Sequence, residues 1–151
     1  MVTIGINGFG RIGRLAFRIG VSKHLDEIKF GAINTSGSMD ASGWAHLVNY
    51  DTMYRKYEHE VVADDSGKTE EVIGNLNVPE RNVSVPLLAQ KDPSLIPWSK
   101  YGVDVVIEAT GKFTSEDDAK KHAVGGAKRV VISAPSKGGN VGTYVLGVNE
   151  K

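Results

Sequence analysis

The chain has 151 residues, a length suited to one domain that buries its own core without covalent staples. Lys plus Arg number 18 and Asp plus Glu number 18, so the formal net charge is zero, which argues against a nucleic-acid footprint or a membrane-surface patch. There is no cysteine, which excludes a thiol nucleophile, a disulfide and a Cys-ligated metal, and the four histidines show no clustered ligand spacing that would suggest a metal site.

The first element is an apolar run, Val2-Thr3-Ile4-Gly5-Ile6, which reads as a strand. It runs into Asn7-Gly8-Phe9-Gly10-Arg11-Ile12-Gly13 and then a segment with helical spacing. Strand, glycine turn and helix in that order form the receptor for a dinucleotide pyrophosphate. Gly8 permits the tight turn, Gly10 lets the backbone approach the phosphates, and Gly13 lets helix and strand pack closely. The free N–H groups at the helix start, those of Arg11 and Ile12 among them, then face the anion. Ile12, Leu15, Ala16 and Ile19 recur at helical spacing and are expected to face the sheet. Arg11, Arg14 and Arg18 fall off that face, and Gly20 is expected to help end the helix.

A second strand is expected over residues 28–34, which completes a right-handed β-α-β unit. A polar bend, Thr35-Ser36-Gly37-Ser38, leads to a helix from about Asp40 to Val48 with Trp44, Leu47 and Val48 buried. The middle of the chain then changes character. Residues 57–63 alternate, Asp65-Ser66-Gly67 is a turn, Glu71-Val72-Ile73 is a short strand, Gly74-Asn75 is another turn, and residues 82–88 form a further strand. This reads as a small antiparallel insertion spanning about residues 57–88. Asp92 to Trp98 forms a bend.

Regular alternation returns with a buried parallel strand at Val103–Glu108, whose terminal acid is expected to make a structural hydrogen bond. A helix capped near Thr114-Ser115 runs to about Val124, a strand covers Arg129–Ser133, and a last strand covers Thr143–Val148. The fold class is therefore α/β, a Rossmann-type doubly wound and mostly parallel sheet, occupying residues 1–151 as one dinucleotide-binding domain. No apolar run approaches the length of a membrane span, and the N-terminus lacks the basic region of a signal peptide. A cytoplasmic location is the expectation.

The segments I-N-G-F-G-R-I-G-R at 6–14, A-T-G-K-F at 109–113, G-G-A-K-R-V-V-I-S-A-P-S-K at 125–137 and L-G-V-N at 146–149 closely resemble the phosphorylating glyceraldehyde-3-phosphate dehydrogenases. They stand in that family's order at compatible spacing, and the resemblance extends over essentially the whole chain. It implies the cofactor-binding half of a homotetrameric enzyme that converts glyceraldehyde 3-phosphate to 1,3-bisphosphoglycerate with NAD or NADP. The family's Cys-bearing helix start, its catalytic His and its returning C-terminal helix match nothing here. The expectation is a truncated or split enzyme with no catalytic residue of its own. Its partners would be a dinucleotide and either the missing catalytic half or further copies of itself. The alternative is a free-standing nucleotide-binding or regulatory module that docks on another polypeptide.

The resemblance also extends the set of cofactor residues. Asn34 and Thr35 stand where a dinucleotide site usually carries an acid for the ribose hydroxyls, and where the family usually reads N-D. Replacing that acid by Thr35, followed by Ser36 and Ser38, removes a repulsion against a 2′-phosphate and offers hydroxyl donors to it. No Arg or Lys lies between residues 30 and 54 to neutralise such a phosphate, so dual use of NAD and NADP, or a modest NADP preference, is expected. Lys91 matches a basic residue beside the adenine. Thr110, Gly111 and Phe113 match the nicotinamide-ribose wall, and Ser133-Ala134 matches a position near the nicotinamide. His24, His46, His59 and His122 match no catalytic position and read as surface or packing residues.

Overall fold

A computed structural model describes residues 1–150. β1 (Val2–Asn7) rises through the centre and feeds α1 (Arg11–Lys23), which returns the chain to β2 (Ile28–Asn34). α2 (Ala41–Asn49) follows, with Asp40 at its N-cap accepting a hydrogen bond from the Gly43 N–H. Then come the two-residue strands β3 (Tyr50–Asp51) and β4 (Arg55–Lys56), and the longer meander of β5 (Val62–Asp64), β6 (Val72–Val78) and β7 (Val83–Leu88). β8 (Val105–Glu108), α3 (Glu116–Val124, capped by Ser115) and β9 (Arg129–Ile132) close the fold.

Seven strands form one sheet in the order β5-β6-β7-β2-β1-β8-β9. The five from β7 to β9 are parallel, and β6 and β5 extend the sheet antiparallel to them. The antiparallel unit is thus continuous with the main sheet, joined through the β7–β2 pairing, while β3 and β4 form a small separate hairpin. The strand order reverses between β1 and β8, and that switch point is where an open α/β sheet binds its ligand.

Each face of the sheet carries its own core. On one, Phe17 and Val21 of α1 and Trp44, Ala45 and Val48 of α2 pack against Ile4, Ile6, Ile33 and Leu76. On the other, Trp98 and Ile96 pack with Ala32, Val103, Val106 and Ala127.

Five sequence expectations are corrected. α1 does not bury Ile12 and Ile19, which are 51 % and 43 % exposed; it buries Gly13, Phe17, Gly20 and Val21. That stripe has helical spacing too, but two of its members are glycines, which an apolar count overlooks. Gly20 does not end α1, which continues to Lys23; a Cβ there would stand 2.5 Å from the Phe30 ring. Arg18 is buried rather than off the core, because three backbone carbonyls converge on its guanidinium. Gly74-Asn75 is not a turn but lies inside β6, where Gly74 at φ +138° sits beside a register shift in the pairing with β7. Thr143–Val148 is not a strand either. It is exposed, finds no ladder partner among the described residues, and turns back on itself through the Val148 N–H to the Val145 carbonyl and the Asn149 side chain.

Candidate functional site

The C-terminal ends of β1, β2 and β8 lie side by side, so that Asn7 stands opposite Asn34 on one side and Glu108 on the other. Above them opens a cleft of about 500 Å³, within the range of pockets that enclose small molecules. The glycine turn forms its floor. Gly8 has φ +93°, and a Cβ there would stand 2.6 Å from the Thr110 nitrogen. At Gly13 a Cβ would stand 2.2 Å from the Gly8 carbonyl oxygen, so only glycine lets α1 sit this close to the turn. Gly10 faces open space, with no atom within 4 Å of where its Cβ would be. Gly8 thus serves the turn and Gly13 the packing of helix on turn, while Gly10 leaves the space over the turn open.

Gly10 is the N-cap of α1 and brings no side-chain cap. The N–H groups of Arg11, Ile12 and Gly13 therefore have no intrahelical acceptor and present partial positive charge to whatever lies over the turn. The Arg11 and Arg14 side chains point elsewhere. They hold Asp51 at 3.6 and 3.5 Å, and Arg14 Nη1 donates to the Phe9 carbonyl at 3.0 Å, bracing the turn from outside. The backbone N–H groups of Tyr54 and Met53, with these two arginines, hold the Asp51 carboxyl below the usual aspartate range.

On the β2 side, Asn34 is fully engaged. Its Nδ2 donates to Asn7 Oδ1 and to the Gln90 carbonyl, and its Oδ1 accepts from the Gln90 N–H at 2.8 Å. Thr35 corrects the expectation of a hydroxyl offered to a phosphate. Its Oγ1 donates to the Leu88 carbonyl at 3.0 Å, which also accepts from the Thr35 N–H at 2.8 Å where β2 ends against β7, and Oγ1 itself accepts from the Gly37 N–H. Ser36 and Ser38 are exposed and share one hydrogen bond of 2.9 Å. Lys91 stands at this end of the cleft.

On the β8 side, Thr110 and Phe113 line the cleft, and Gly111 turns the chain at φ +69°. Lys121 Nζ lies 5.8 Å from the Phe113 ring centroid. Ser133 and Ala134 follow β9, one strand further out, and are not part of the cleft wall; the Ser133 N–H donates to the Glu108 carbonyl. Arg11, Ile12, Gly13 and Gly111 likewise shape the site without lining it.

The sequence reading missed Phe9, Trp44, Gln90, Ala109 and Lys112, all of which line the cleft. Phe9 lies inside the glycine motif and packs edge-on against Phe17, so its place was available to inspection. Trp44 and Gln90 reach the cleft from distant segments, with no local signal. Also missed was the polar chain beneath the cleft. Glu108, expected to make one structural hydrogen bond, accepts from Asn7 Nδ2 at 2.6 Å, from His122 Nε2 at 2.9 Å, and from both the N–H and the hydroxyl of Thr110. Burial pushes its carboxyl up, but the bonds from His122, Thr110 and Asn7 outweigh that and bring it below the usual glutamate range. His122 is fully buried, with both ring nitrogens hydrogen-bonded rather than merely packed. Among the described residues no group of three or more His, Cys, Asp or Glu is arranged to hold a metal, and no helix is long and apolar enough to cross a membrane.

A backbone cradle with a bare helix N-terminus, straddling the switch point of a parallel sheet, suits a dinucleotide, and the sequence relationships agree. The family described as glyceraldehyde 3-phosphate dehydrogenase, NAD binding domain, matches residues 2–116. The chain belongs to this family. Similar full-length proteins include glyceraldehyde-3-phosphate dehydrogenase 2 of Bacillus subtilis, 44 % identical over 99 % of this chain and 39 % of the relative. Others are glyceraldehyde-3-phosphate dehydrogenase 1 of Streptomyces arenae, at 43 % over 99 % and 40 %, and glyceraldehyde-3-phosphate dehydrogenase 1 of Bacillus cereus, at 40 % over 100 % and 41 %. This NAD-binding domain spans about 40 % of the length of the curated relatives it matches.

Proposed function

We propose that this chain is the NAD(P)-binding half of a glyceraldehyde-3-phosphate dehydrogenase, and that by itself it binds cofactor without turning over aldehyde. The glycine cradle carries the first part. Its open Gly10, its positive-φ Gly8 and the free N–H groups that start α1 fit a pyrophosphate. The β2 side, with Ser36 and Lys91, would take the adenosine half, and Thr110, Gly111 and Phe113 would border the other, with Ser133 and Ala134 beyond them. The bound nicotinamide supplies a hydride acceptor. The chain's own residues hold the dinucleotide across the cleft, orient its two halves and exclude water from the side lined by Phe9, Phe113 and Trp44.

The second part rests on chemistry. Oxidising an aldehyde to an acyl phosphate proceeds through a thiohemiacetal and a thioester, and this chain has no cysteine to form either. Ser and Thr substitute poorly without an activating base. The thiol, its base and the substrate-phosphate site therefore belong to a catalytic half outside these residues, and that half or further copies of the chain are the partners proposed. A cytoplasmic location goes with this reading.

Cofactor choice follows from position 35. With no acid at the end of β2, the repulsion that would exclude a 2′-phosphate is missing, and the reading is dual use of NAD and NADP. Thr35→Asp tests it. A carboxylate at 35 can accept from the Gly37 N–H but cannot donate to the Leu88 carbonyl, so it turns toward the ribose. Calorimetric titration of wild type and variant with both cofactors should show saturable binding of each to the wild type. In the variant the ratio of dissociation constants should shift toward NAD by about tenfold or more, or about 1.4 kcal/mol. No saturable binding at millimolar NAD would refute the cofactor assignment. An unchanged ratio would refute the role of Thr35, and aldehyde turnover by purified chain alone would refute the assignment of the nucleophile.

A further inference from the structure

Beneath the cleft, four elements are tied by one continuous chain of buried hydrogen bonds. Trp98 Nε1–H donates to His122 Nδ1 at 3.1 Å, which leaves the imidazole proton on Nε2, and Nε2–H donates to Glu108 Oε2 at 2.9 Å. The other Glu108 oxygen accepts from the N–H and the hydroxyl of Thr110. The Thr110 hydroxyl in turn accepts from the Lys112 N–H, so the whole 109–112 turn is shaped around this carboxylate. On its inner side Glu108 holds Asn7, and Asn7 holds Asn34. His122 lies on α3 with no exposed surface and does not line the cleft. It is nevertheless two hydrogen bonds from the turn that packs directly on Gly8, where a Cβ would meet the Thr110 backbone.

We infer that His122 is a positioning residue for the dinucleotide: acting through Glu108, it sets the 109–112 turn against which the half beyond the pyrophosphate rests. The geometry gives the effect a direction. The β2 side is fixed independently, since Asn34 makes two hydrogen bonds with the Gln90 backbone, and Thr35 is held by Leu88 and Gly37. Loosening the Glu108 arm frees the β8 side and leaves the adenosine side in place. The inference rests on the proposed dinucleotide site, and it concerns how that site is held rather than whether it exists.

Two substitutions separate positioning from mere stability. His122→Gln retains a donor at the place of Nε2, and so the Glu108 arm, but loses the acceptor for Trp98. His122→Asn retains the acceptor near Nδ1, and so the Trp98 arm, but cannot reach Glu108. Each removes one buried hydrogen bond, so thermal unfolding should shift both downward, His122→Asn further because its lost bond is to a carboxylate, and AMP affinity then tells a general loosening from a local one. Calorimetric titration of the 151-residue chain with NAD and, separately, with AMP then reads the two halves of the site. We expect His122→Gln to bind NAD within about twofold of wild type, and His122→Asn to bind it about tenfold more weakly, with AMP affinity unchanged in both. Glu108→Gln, which keeps the buried volume and removes the charge that gathers the donors, should reproduce the Asn phenotype and stands in if His122→Asn does not fold. Equal NAD losses in the Gln and Asn variants, parallel losses for AMP, or undiminished NAD affinity in the Asn and Glu108→Gln variants would overturn the inference while leaving the cofactor site intact. A wild type that binds neither ligand would instead refute the site itself, and the inference with it.

Discussion

Gly13→Ala should lower NAD affinity at least about a hundredfold, or about 2.7 kcal/mol, and destabilise the fold at the same time. The added carbon would stand 2.2 Å from the Gly8 carbonyl oxygen and 3.1 Å from Ile6 Cγ2. The atom it meets is backbone, and that backbone is the turn itself. Relief requires either lifting α1 off β1 or moving Gly8, and Gly8 has no room because Thr110 closes its other side. Overpacking of this kind costs about 1–3 kcal/mol of stability. Gly10→Ala is the contrasting case. Its methyl would enter open space, at an N-cap of extended conformation that alanine can adopt, so the fold is unaffected. The same space is what the pyrophosphate needs, so NAD affinity should still fall by at least about tenfold. Thermal unfolding and calorimetry on both variants check the pair. A Gly13→Ala protein with wild-type affinity would show that the turn is not the cradle.

Arg18→Leu should produce the largest loss of stability for a side chain distant from the cleft, about 2–4 kcal/mol, because one buried and two half-buried carbonyls lose their donor. Arg18 Nε donates to the Val48 carbonyl at 2.7 Å, at the C-terminal end of α2, and its two Nη atoms donate to the Tyr54 and Arg55 carbonyls at 3.4 and 3.2 Å. The guanidinium also lies 5.2 Å from the Tyr57 ring centroid, and the Tyr57 hydroxyl donates to the Arg18 carbonyl at 2.9 Å. Burial lowers the Arg18 pKa, opposed by the nearby Asp51 and Tyr57, and arginine stays charged regardless. One side chain thus fastens α1 to α2 and to the β3–β4 hairpin, where Arg55 is held at φ +62°. Leucine keeps the apolar stem and removes all three bonds. The midpoint of thermal unfolding should fall by roughly 5–15 °C. Arg18→Lys, with one compact ammonium in place of a fork, should fall between. An unchanged midpoint in Arg18→Leu would show that these carbonyls find other donors.

The glycine cradle was readable because its three constraints lie within six positions, and each follows from the absence of a side chain. β2, α2, β8 and α3 were readable for the same reason: their apolar periods and caps are local. α1 was recognised as a helix, but its buried face was misassigned. Two stripes share helical spacing, and the one that packs hides behind Gly13 and Gly20, which have no side chain to count. Arg18 was misplaced because its acceptors lie 30 to 37 positions away, on segments that no local pattern connects to it. Glu108 was seen as a strand-end acid, yet its partner Asn7 lies 101 positions away and His122 looked like any helix histidine. Thr35 stands at the end of β2 without an acid, but its hydroxyl, read as a ligand donor, goes to the Leu88 carbonyl of β7. Local geometry is written along the chain; the polar contacts that join distant strand ends are written only in the fold.

The central claim is that this chain holds a dinucleotide across the ends of β1, β2 and β8. At 16.2 kDa the protein suits residue-level NMR, and titration of the 15N-labelled chain with NAD reads the claim directly. The account predicts saturable amide shifts at Gly8, Gly10, Arg11 and Ile12, at Asn34 to Ser36, and at Thr110 to Phe113, with the meander of β5 and β6 unmoved. Shifts absent from the glycine turn, or centred away from these strand ends, would contradict it.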